Sequence, residues 1–381
     1  MTVENAHVAE NLSRMDDNDR ETYIQAQVRN VSDAEELLPR VQEFTDISTI
    51  FSIDGHILIS GKTGSGKTTL QMTVIKKFLD NGTVVLHRDD GGLEFIYLAA
   101  YVKTRIFIPD DPNVTLELIG FDADIVKFKS PEEIVDAVWQ YDYPYNVIVY
   151  DVFCLSSAQK AKFYSQLFFY LIFMLQQKRK SEKRHVVFSI DELNDLIPPR
   201  GKGSPEFAIT RADVELNIRK IRKHKVKLIA TSHRFNQIGL DTRSQFEIKL
   251  IKKCYGYDIW SFLSQNLISS NNKTFWRMMK RVLTMPRNEF IMFDENNFFD
   301  RKTYPDIPRD PALDIEALGS LPMPNKESKS DVAMKKHAKK LIQVCHDEFH
   351  MSYDEIGKKA GISHQQISNI VNSKEEPYIT A

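Results

Sequence analysis

The sequence predicts an α/β protein with a mainly parallel sheet, followed by a small all-helical domain. Between residues 50 and 300, short apolar runs rich in β-branched residues alternate with helical stretches, as in βαβ units. Most of these runs are unbroken rather than alternating, which is typical of strands covered on both faces. The predicted strands are 56–60, 83–87, 104–108, 146–153, 185–192, 226–232, 246–251 and 289–295.

The composition is that of a globular protein without strong bias. Hydrophobic residues make up 42% and charged residues 27% of the 381 residues, which argues against wholesale disorder. Lys and Arg number 51 against 52 for Asp and Glu, so any affinity for nucleic acid must come from local patches. The three cysteines form no CxxC pair, which fits a reducing compartment. The N-terminus does not resemble a signal peptide, and the longest apolar run, 168–175, predicts a helix buried on most sides rather than a membrane span.

Charge and proline divide the chain into four segments. Residues 1–48 form an acidic N-terminal arm with some helix, and residues 49–300 form the main domain. Residues 301–330 form a Pro-rich linker or extended strap, because five of the 15 prolines lie between 305 and 324. Residues 331–381 show three short helical patterns and are expected to form a separate domain.

A phosphate-binding loop follows the first predicted strand. Its sequence matches G-x-x-x-x-G-K-[ST] between a strand and a helix, where backbone N–H groups and the helix N-terminus cradle phosphates. Lys67 would reach the β- and γ-phosphates of ATP, and the Thr68 hydroxyl would bind Mg²⁺. The predicted nucleotide-binding residues are Gly61, Lys62, Thr63, Gly64, Ser65, Gly66, Lys67, Thr68 and Thr69.

An acidic pair ends the strand predicted at 185–192. Asp191 and Glu192 come to the C-terminal end of that strand, where ligands bind in open α/β sheets. Asp191 would hold Mg²⁺ through water, and Glu192 would orient or deprotonate the attacking water. The pair therefore predicts the hydrolytic half of an ATPase site.

The motifs together resemble the FtsK/HerA superfamily of DNA-pumping ATPases, which also holds conjugative coupling proteins and viral genome-packaging ATPases. Residues 63–67 are typical of its loop core, and VVFSIDELNDL (186–196) is similar to its apolar strand ending in Asp-Glu. The stretch 222–234 is similar to its Gly-Arg…Ala-Thr-Gln-Arg-Pro motif, and HRDDGGLEF (87–95) looks like its Asp-Pro-Lys-x-x-Glu-Leu. The resemblance covers roughly residues 50–300 and implies a RecA-like core, with ATP bound between the subunits of a ring hexamer.

The resemblance also implies a γ-phosphate sensor and a trans-acting arginine. His233 stands where the family has its sensor Gln, and Ser232 is the second choice; His233 is alternatively an ordinary strand-end residue. Arg222 matches the family's Arg and would reach a neighbour's ATP, with Arg219 one helical turn earlier as the alternative. Either arginine is alternatively a plain surface charge.

Local basic patches predict contacts with DNA. Residues 178–184 are expected to be a solvated charged face, whereas Arg200 and Lys202 lie in a basic loop that a ring would present to its channel. In the C-terminal domain, a basic helix at 332–349 precedes two capping boxes, at 352–355 and 363–366. This pattern resembles a bacterial repressor helix-turn-helix, with a three-helix protein-docking module as the alternative. Its predicted DNA contacts are Gln365, Gln366 and Asn369 in the major groove, and Lys335, Lys336, Lys339 and Lys340 on phosphates.

The leading hypothesis is an ATP-hydrolysing double-stranded DNA translocase. We expect a homo-hexameric genome-packaging motor of a virus or mobile element, without a membrane anchor, in the cytoplasm of the cell or host. A capsid or portal protein would then be a further partner. The alternative is an ATP-switched DNA-binding regulator or a plasmid partition or transfer protein. A secretion ATPase is disfavoured by the acidic strand end.

Overall fold

The computed structural model describes residues 12, 14–29, 42–43, 55–177, 185–197, 211, 215, 218, 220–266, 272–294, 299–322, 339, 341–347, 351–360, 367–368 and 371. Its centre is a sheet of 11 strands. The strands of the described chain are β1 Gln42–Glu43, β2 Ile57–Ser60, β3 Val84–Asp89, β4 Thr104–Pro109, β5 Val114–Ile119, β6 Ala123–Phe128, β7 Tyr145–Val149, β8 Val186–Ile190, β9 Val226–Ser232, β10 Ile248–Ile251, β11 Glu289–Phe293, β12 Phe299–Thr303 and β13 Asp314–Gly319.

Helices cover both faces of this sheet. They are α1 Asp17–Arg29, α2 Lys67–Asp80, α3 Pro131–Val138, α4 Ser157–Gln177, α5 Leu193–Leu196, α6 Leu240–Arg243, α7 Gly256–Asn266, α8 Asn272–Thr284 and α9 Tyr353–Ala360, with 3₁₀ turns at Glu94–Ala100, Asp151–Phe153 and Phe235–Gln237. Successive residues of a strand enter opposite cores: Leu58 packs with α4, whereas Ile57 and Ile59 pack with α2. This two-sided burial explains the unbroken apolar runs.

The strand order puts the phosphate-loop strand inside a parallel sheet. The order is β1-β12-β11-β10-β2-β9-β8-β3-β7-β4-β6. Every pair from β10 to β6 is parallel, while β11 pairs antiparallel with both β10 and β12. Register aligns Ser60 of β2 with Ser232 of β9 and Ile251 of β10. All eight predicted strands are present, and the predicted α/β class is confirmed.

The apolar run at 168–175 lies in α4, but its burial is less complete than predicted. Phe168, Leu171 and Leu175 are buried, whereas Phe169 is 39% and Phe173 is 44% exposed. The difference arises because only one face of α4 packs on the sheet. Within the described part of the chain, no helix has the length and apolar character needed to cross a membrane.

The Pro-rich segment follows the surface of the main domain as far as Pro322. Of the two forms predicted for it, linker or extended strap, the described part is a strap. Strand β13 pairs antiparallel with β5 to form a second, two-stranded sheet. Beyond it, the backbone N–H of Leu321 donates to the Phe153 carbonyl at 2.8 Å, and Gln159 donates to the Pro322 carbonyl at 2.9 Å.

The described part of the acidic arm contains a helix that packs on the main domain. Ile24 and Val28 of α1 are buried. The carboxylate of Glu21 accepts hydrogen bonds from the backbone N–H groups of Gly256 and Tyr257, at the start of α7. Because these N–H groups have no partner within the helix, Glu21 caps α7.

The described C-terminal residues have a small apolar cluster of their own. Ile342, Cys345, Ile356 and Ile367 are buried together. The predicted capping box at 352–355 is present, because the Ser352 N–H donates to the Glu355 carboxylate at 2.8 Å and the Glu355 N–H donates to the Ser352 hydroxyl at 3.3 Å. The turn and most of the third predicted helix lie outside the described residues, so the helix-turn-helix and the four domain boundaries stay predictions.

Candidate nucleotide site

The phosphate loop is tied to both strands that flank β2. The backbone N–H of Gly61 donates to the Ser232 carbonyl at 3.2 Å, at the end of β9. The N–H of Lys62 donates to the Lys253 carbonyl at 2.8 Å, just after β10. The loop therefore has a fixed position at the carboxyl edge of the sheet, before α2 begins at Lys67.

The position of Gly66 accepts only a residue without a side chain, for two reasons. Its φ of +89° lies in the left-handed region that favours glycine. A Cβ atom there would also lie 2.8 Å from the carbonyl oxygen of Arg287 and 2.8 Å from the hydroxyl of Tyr304. The loop thus packs directly on the segments after α8 and β12.

Lys67, His233 and Glu192 are in contact at the start of α2, just after β9 and just after β8. The Lys67 ammonium group donates to Nδ1 of His233 at 2.7 Å, and Nε2 of His233 lies 3.2 Å from Oε2 of Glu192. Because lysine only donates, Nδ1 is the acceptor and Nε2 carries the proton. The backbone N–H of His233 also donates to Oε1 of Glu192 at 3.1 Å. The three predicted side chains are therefore brought together.

A threonine holds the acidic pair in position. The Thr231 hydroxyl donates to Oδ1 of Asp191 at 2.6 Å and accepts the backbone N–H of Glu192 at 2.8 Å. Glu192 has a φ of +47°, a left-handed conformation that costs a non-glycine residue about 1–3 kcal/mol. Such strain persists only where the surroundings hold the backbone.

The electrostatics of the site favour the neutral forms of its ionisable side chains. Burial raises the pKa of Asp191 to about 7, with the nearby charge of Asp90 as the next cause. Burial also raises the pKa of Glu192 and lowers the pKa of Lys67, although each opposes the shift of the other. Burial and the Lys67 charge lower the pKa of His233, which agrees with the neutral ring.

The oxygen donors at the site suit Mg²⁺. Thr68 is half-buried at the start of α2, and Asp191 offers a carboxylate whose negative charge is poorly solvated. Hydroxyl and carboxylate oxygens are the ligands that Mg²⁺ prefers. The predicted pair, Thr68 and Asp191, therefore fits the ion chemically.

Arg222 lies away from its own phosphate loop. It forms an ion pair with Glu247, whose carboxylate also accepts the backbone N–H of His56 at 2.8 Å. Glu247 and His56 precede β10 and β2, so they mark the amino edge of the sheet. Five residues along these strands span about 16 Å. The structure therefore does not place Arg222 with Lys67 of the same chain.

Most of the predicted DNA contacts lie outside the described residues. Lys339 is described and is half-buried. Arg219, the alternative to Arg222 as the trans-acting arginine, also lies outside the described part. The residues that are not described are Arg200, Lys202, Arg219, Lys335, Lys336, Lys340, Gln365, Gln366 and Asn369.

The sequence patterns missed several residues that support the site. Thr231 could have been found from the sequence, because it lies in the Ala-Thr-Ser stretch that ends β9. The Tyr304 hydroxyl donates to the carbonyl of Gly66 at 2.9 Å and accepts from the buried ammonium group of Lys252 at 2.8 Å. Arg88 contacts the backbone of the acidic pair. Tyr304 and Lys252 match no motif, because their role depends on non-local contacts.

The fold and the site define a P-loop NTPase with a RecA-like core. The central strand order β10-β2-β9-β8-β3 places the phosphate loop after β2 and the acidic pair after β8. The ends of these strands meet at the carboxyl edge, where open α/β sheets bind ligands. The class predicted from the FtsK/HerA-like motifs therefore agrees with the chain's own topology.

Comparisons with known proteins find similar solved structures. The chain is similar to the genome packaging NTPase B204 from Sulfolobus turreted icosahedral virus 2 in complex with AMPPCP, with 14% identity and a TM-score of 0.41 over 65% of this chain and 96% of that one. It is similar to VirB4 of Thermoanaerobacter pseudethanolicus, with 12% identity and a TM-score of 0.45 over 66% and 90%. It is also similar to the pCW3 conjugation coupling protein TcpA, with 13% identity and a TM-score of 0.37 over 72% and 66%. No protein-family model and no curated protein matches the chain.

Proposed function

We propose that this protein is an ATP-hydrolysing double-stranded DNA translocase, which works as a ring-forming genome-packaging motor of a virus or mobile element. The observation that supports the ATPase part is the contact of Lys67, in the phosphate loop, with His233, which also lies 3.2 Å from Glu192 of the acidic pair. The motor part rests on the motif resemblance to the FtsK/HerA superfamily. Two of the similar solved structures carry names that fit this function: B204 is a genome packaging NTPase, and TcpA is a conjugation coupling protein.

In this proposal the side chains divide the work of hydrolysis. Lys67 uses one proton on His233 and keeps two for phosphate oxygens. Thr68 and Asp191 would hold Mg²⁺, which would supply positive charge to the phosphates. Glu192 takes a proton from the attacking water, and its raised pKa makes the carboxylate a stronger base.

His233 is the proposed γ-phosphate sensor rather than Ser232. The imidazole contacts Lys67 and Glu192 together. The Ser232 hydroxyl is instead engaged with the carbonyl of Arg234 at 2.9 Å and with Asn194 at 3.3 Å. This difference supports the first of the two predicted residues.

The test of hydrolysis compares Lys67→Ala and Glu192→Gln in the full chain. Lys67→Ala removes the phosphate cation and should abolish ATP binding or turnover. Glu192→Gln should still bind ATP while turnover falls by about 10²–10⁴-fold, because only the base is lost. Glu117→Gln, at an exposed position of β5, is the matched control and should behave as wild type. Wild-type turnover by Glu192→Gln would disprove the catalytic assignment.

The test of the motor uses duplex DNA and the oligomeric state. With an ATP analogue, negative-stain images should show six-fold rings, and non-specific duplex DNA should stimulate ATPase activity. In mixed rings, Arg222→Ala subunits should partly rescue Lys67→Ala subunits, because each supplies what the other's interface lacks. Dimers with site-specific DNA binding and slow, unstimulated hydrolysis would identify a nucleotide-switched regulator instead.

A further inference from the structure

Arg88 is a fully buried arginine beside the acidic pair. It lies on β3 next to β8, and none of its side chain is exposed to solvent. A buried guanidinium is costly unless it is paired and hydrogen-bonded. The partners of Arg88 therefore indicate what this charge does.

A carboxylate in the turn after the next strand, β7, fixes the guanidinium. Nη2 of Arg88 forms an ion pair with Oδ2 of Asp151, which is equally buried. The hydroxyl of Tyr164 on α4 donates to Oδ1 of Asp151 at 2.5 Å, and the ammonium of Lys160 lies 3.4 Å from Oδ2. Both oxygens of Asp151 are thus held, and the guanidinium lies 4.9 Å from the centre of the Tyr164 ring.

The other end of the guanidinium contacts the backbone of the acidic pair. Nη1 of Arg88 donates to the carbonyl of Asp191 at 2.5 Å and lies 3.4 Å from the carbonyl of Glu192. Glu192 is the residue with the left-handed backbone, and its N–H is held by Thr231 from the opposite side. The strained turn is therefore held from two sides: Thr231 of β9 accepts its N–H, and Arg88 contacts its carbonyls.

We propose that Arg88 is a positioning residue for Glu192: anchored by Asp151 and Tyr164, it clamps the turn that aims the Glu192 carboxylate at the phosphate site. This inference rests on the proposed ATPase function. This role requires no contact between Arg88 and the nucleotide. Releasing the clamp should misplace the base while leaving the phosphate loop as it is.

The test removes the anchor of the clamp in the full chain. Tyr164→Phe deletes one hydrogen bond to Asp151, and kcat should fall roughly 10-fold, while KM for ATP stays within about two-fold of wild type. Asp151→Asn removes the ion pair, and kcat should fall about 100-fold, as expected for a catalytic group displaced by 1 Å. Tyr145→Phe is the matched control, because its buried hydroxyl donates to the Phe95 carbonyl instead, at 3.1 Å.

Turnover is expressed per bound nucleotide, so that a partly unfolded sample does not imitate the effect. If Asp151→Asn does not fold, Tyr164→Phe decides the question against Tyr145→Phe. Equal kcat for these two variants, or a raised KM with unchanged kcat, overturns the positioning role. A wild-type chain that shows no ATPase activity dependent on Lys67 and Glu192 overturns the proposed function, and the inference with it.

Discussion

The hydroxyl of Tyr304 braces the phosphate loop through a hydrogen bond to its backbone. It contacts the carbonyls of Gly66 at 2.9 Å and Arg287 at 2.8 Å, and it accepts from the Lys252 ammonium at 2.8 Å. Lys252 has no solvent exposure, and its other acceptors are the carbonyls of Arg287 and Glu289. Tyr304→Phe would keep the ring and delete only this junction.

The cost of the change follows from the bonds that are lost. The ammonium loses one of three acceptors in a buried place, a charged hydrogen bond worth about 1.5–3 kcal/mol. The hydrogen bond that the Tyr304 hydroxyl donates to a backbone carbonyl is also lost, which costs about 1 kcal/mol. The Gly66 carbonyl keeps its hydrogen bond from the Leu70 N–H. We expect the free energy of unfolding to fall by about 2–4 kcal/mol. ATP should bind about five-fold more weakly, because binding must then order the loop.

Urea unfolding and titration with a fluorescent ATP analogue measure the two effects. Tyr101→Phe is the matched control, because its hydroxyl also donates to a backbone carbonyl, that of Pro308, but does not contact the phosphate loop. Tyr101→Phe should leave ATP affinity unchanged. If Tyr304→Phe has wild-type urea stability and wild-type ATP affinity, the loop does not depend on this brace.

Three further outcomes are expected. Burial lowers the pKa of His56 and holds that of His87 well below its usual range, so the unfolded chain takes up these protons first and stability falls as pH drops below 6.5. Each histidine contributes up to about 1.4 kcal/mol per pH unit, and His87→Leu should show a shallower loss in urea unfolding between pH 7.5 and 5.5; an identical slope would contradict this. Glu289→Gln should cost about 3–5 kcal/mol of unfolding free energy, because the buried Arg301 and the half-buried Arg281 lose their shared carboxylate, whereas a cost below about 1 kcal/mol would mean that the cations find other partners. Deleting residues 326–381 should leave basal ATPase activity intact and weaken DNA binding or site preference; unchanged affinity and preference for cognate DNA would favour a docking role for the C-terminal domain.

Local sequence patterns were sufficient to predict those parts of the protein whose conformation depends on residues close together in the chain. The phosphate loop is a contiguous stretch whose glycines, lysine and threonine have fixed spacing, so the sequence alone could predict it. The eight parallel or core strands were visible because burial on both faces demands continuous apolar runs. The half-exposed strands β5, β6 and β13 were missed, because they lack the continuous buried apolar runs of the core strands.

Only the tertiary structure decided which residues meet at the site. Lys67 and His233 are 166 positions apart, and Arg88 and Asp151 are 63 apart, so no local pattern links the members of either pair. The brace at Tyr304 joins the start of the strap to a loop that is 238 positions earlier. Strand order alone creates these contacts: parallel strands bring distant chain segments to one edge of a sheet, and the order of strands is a non-local property. The sequence by itself thus determined the chemistry that the site offers, whereas the order of the strands determined how its side chains are held.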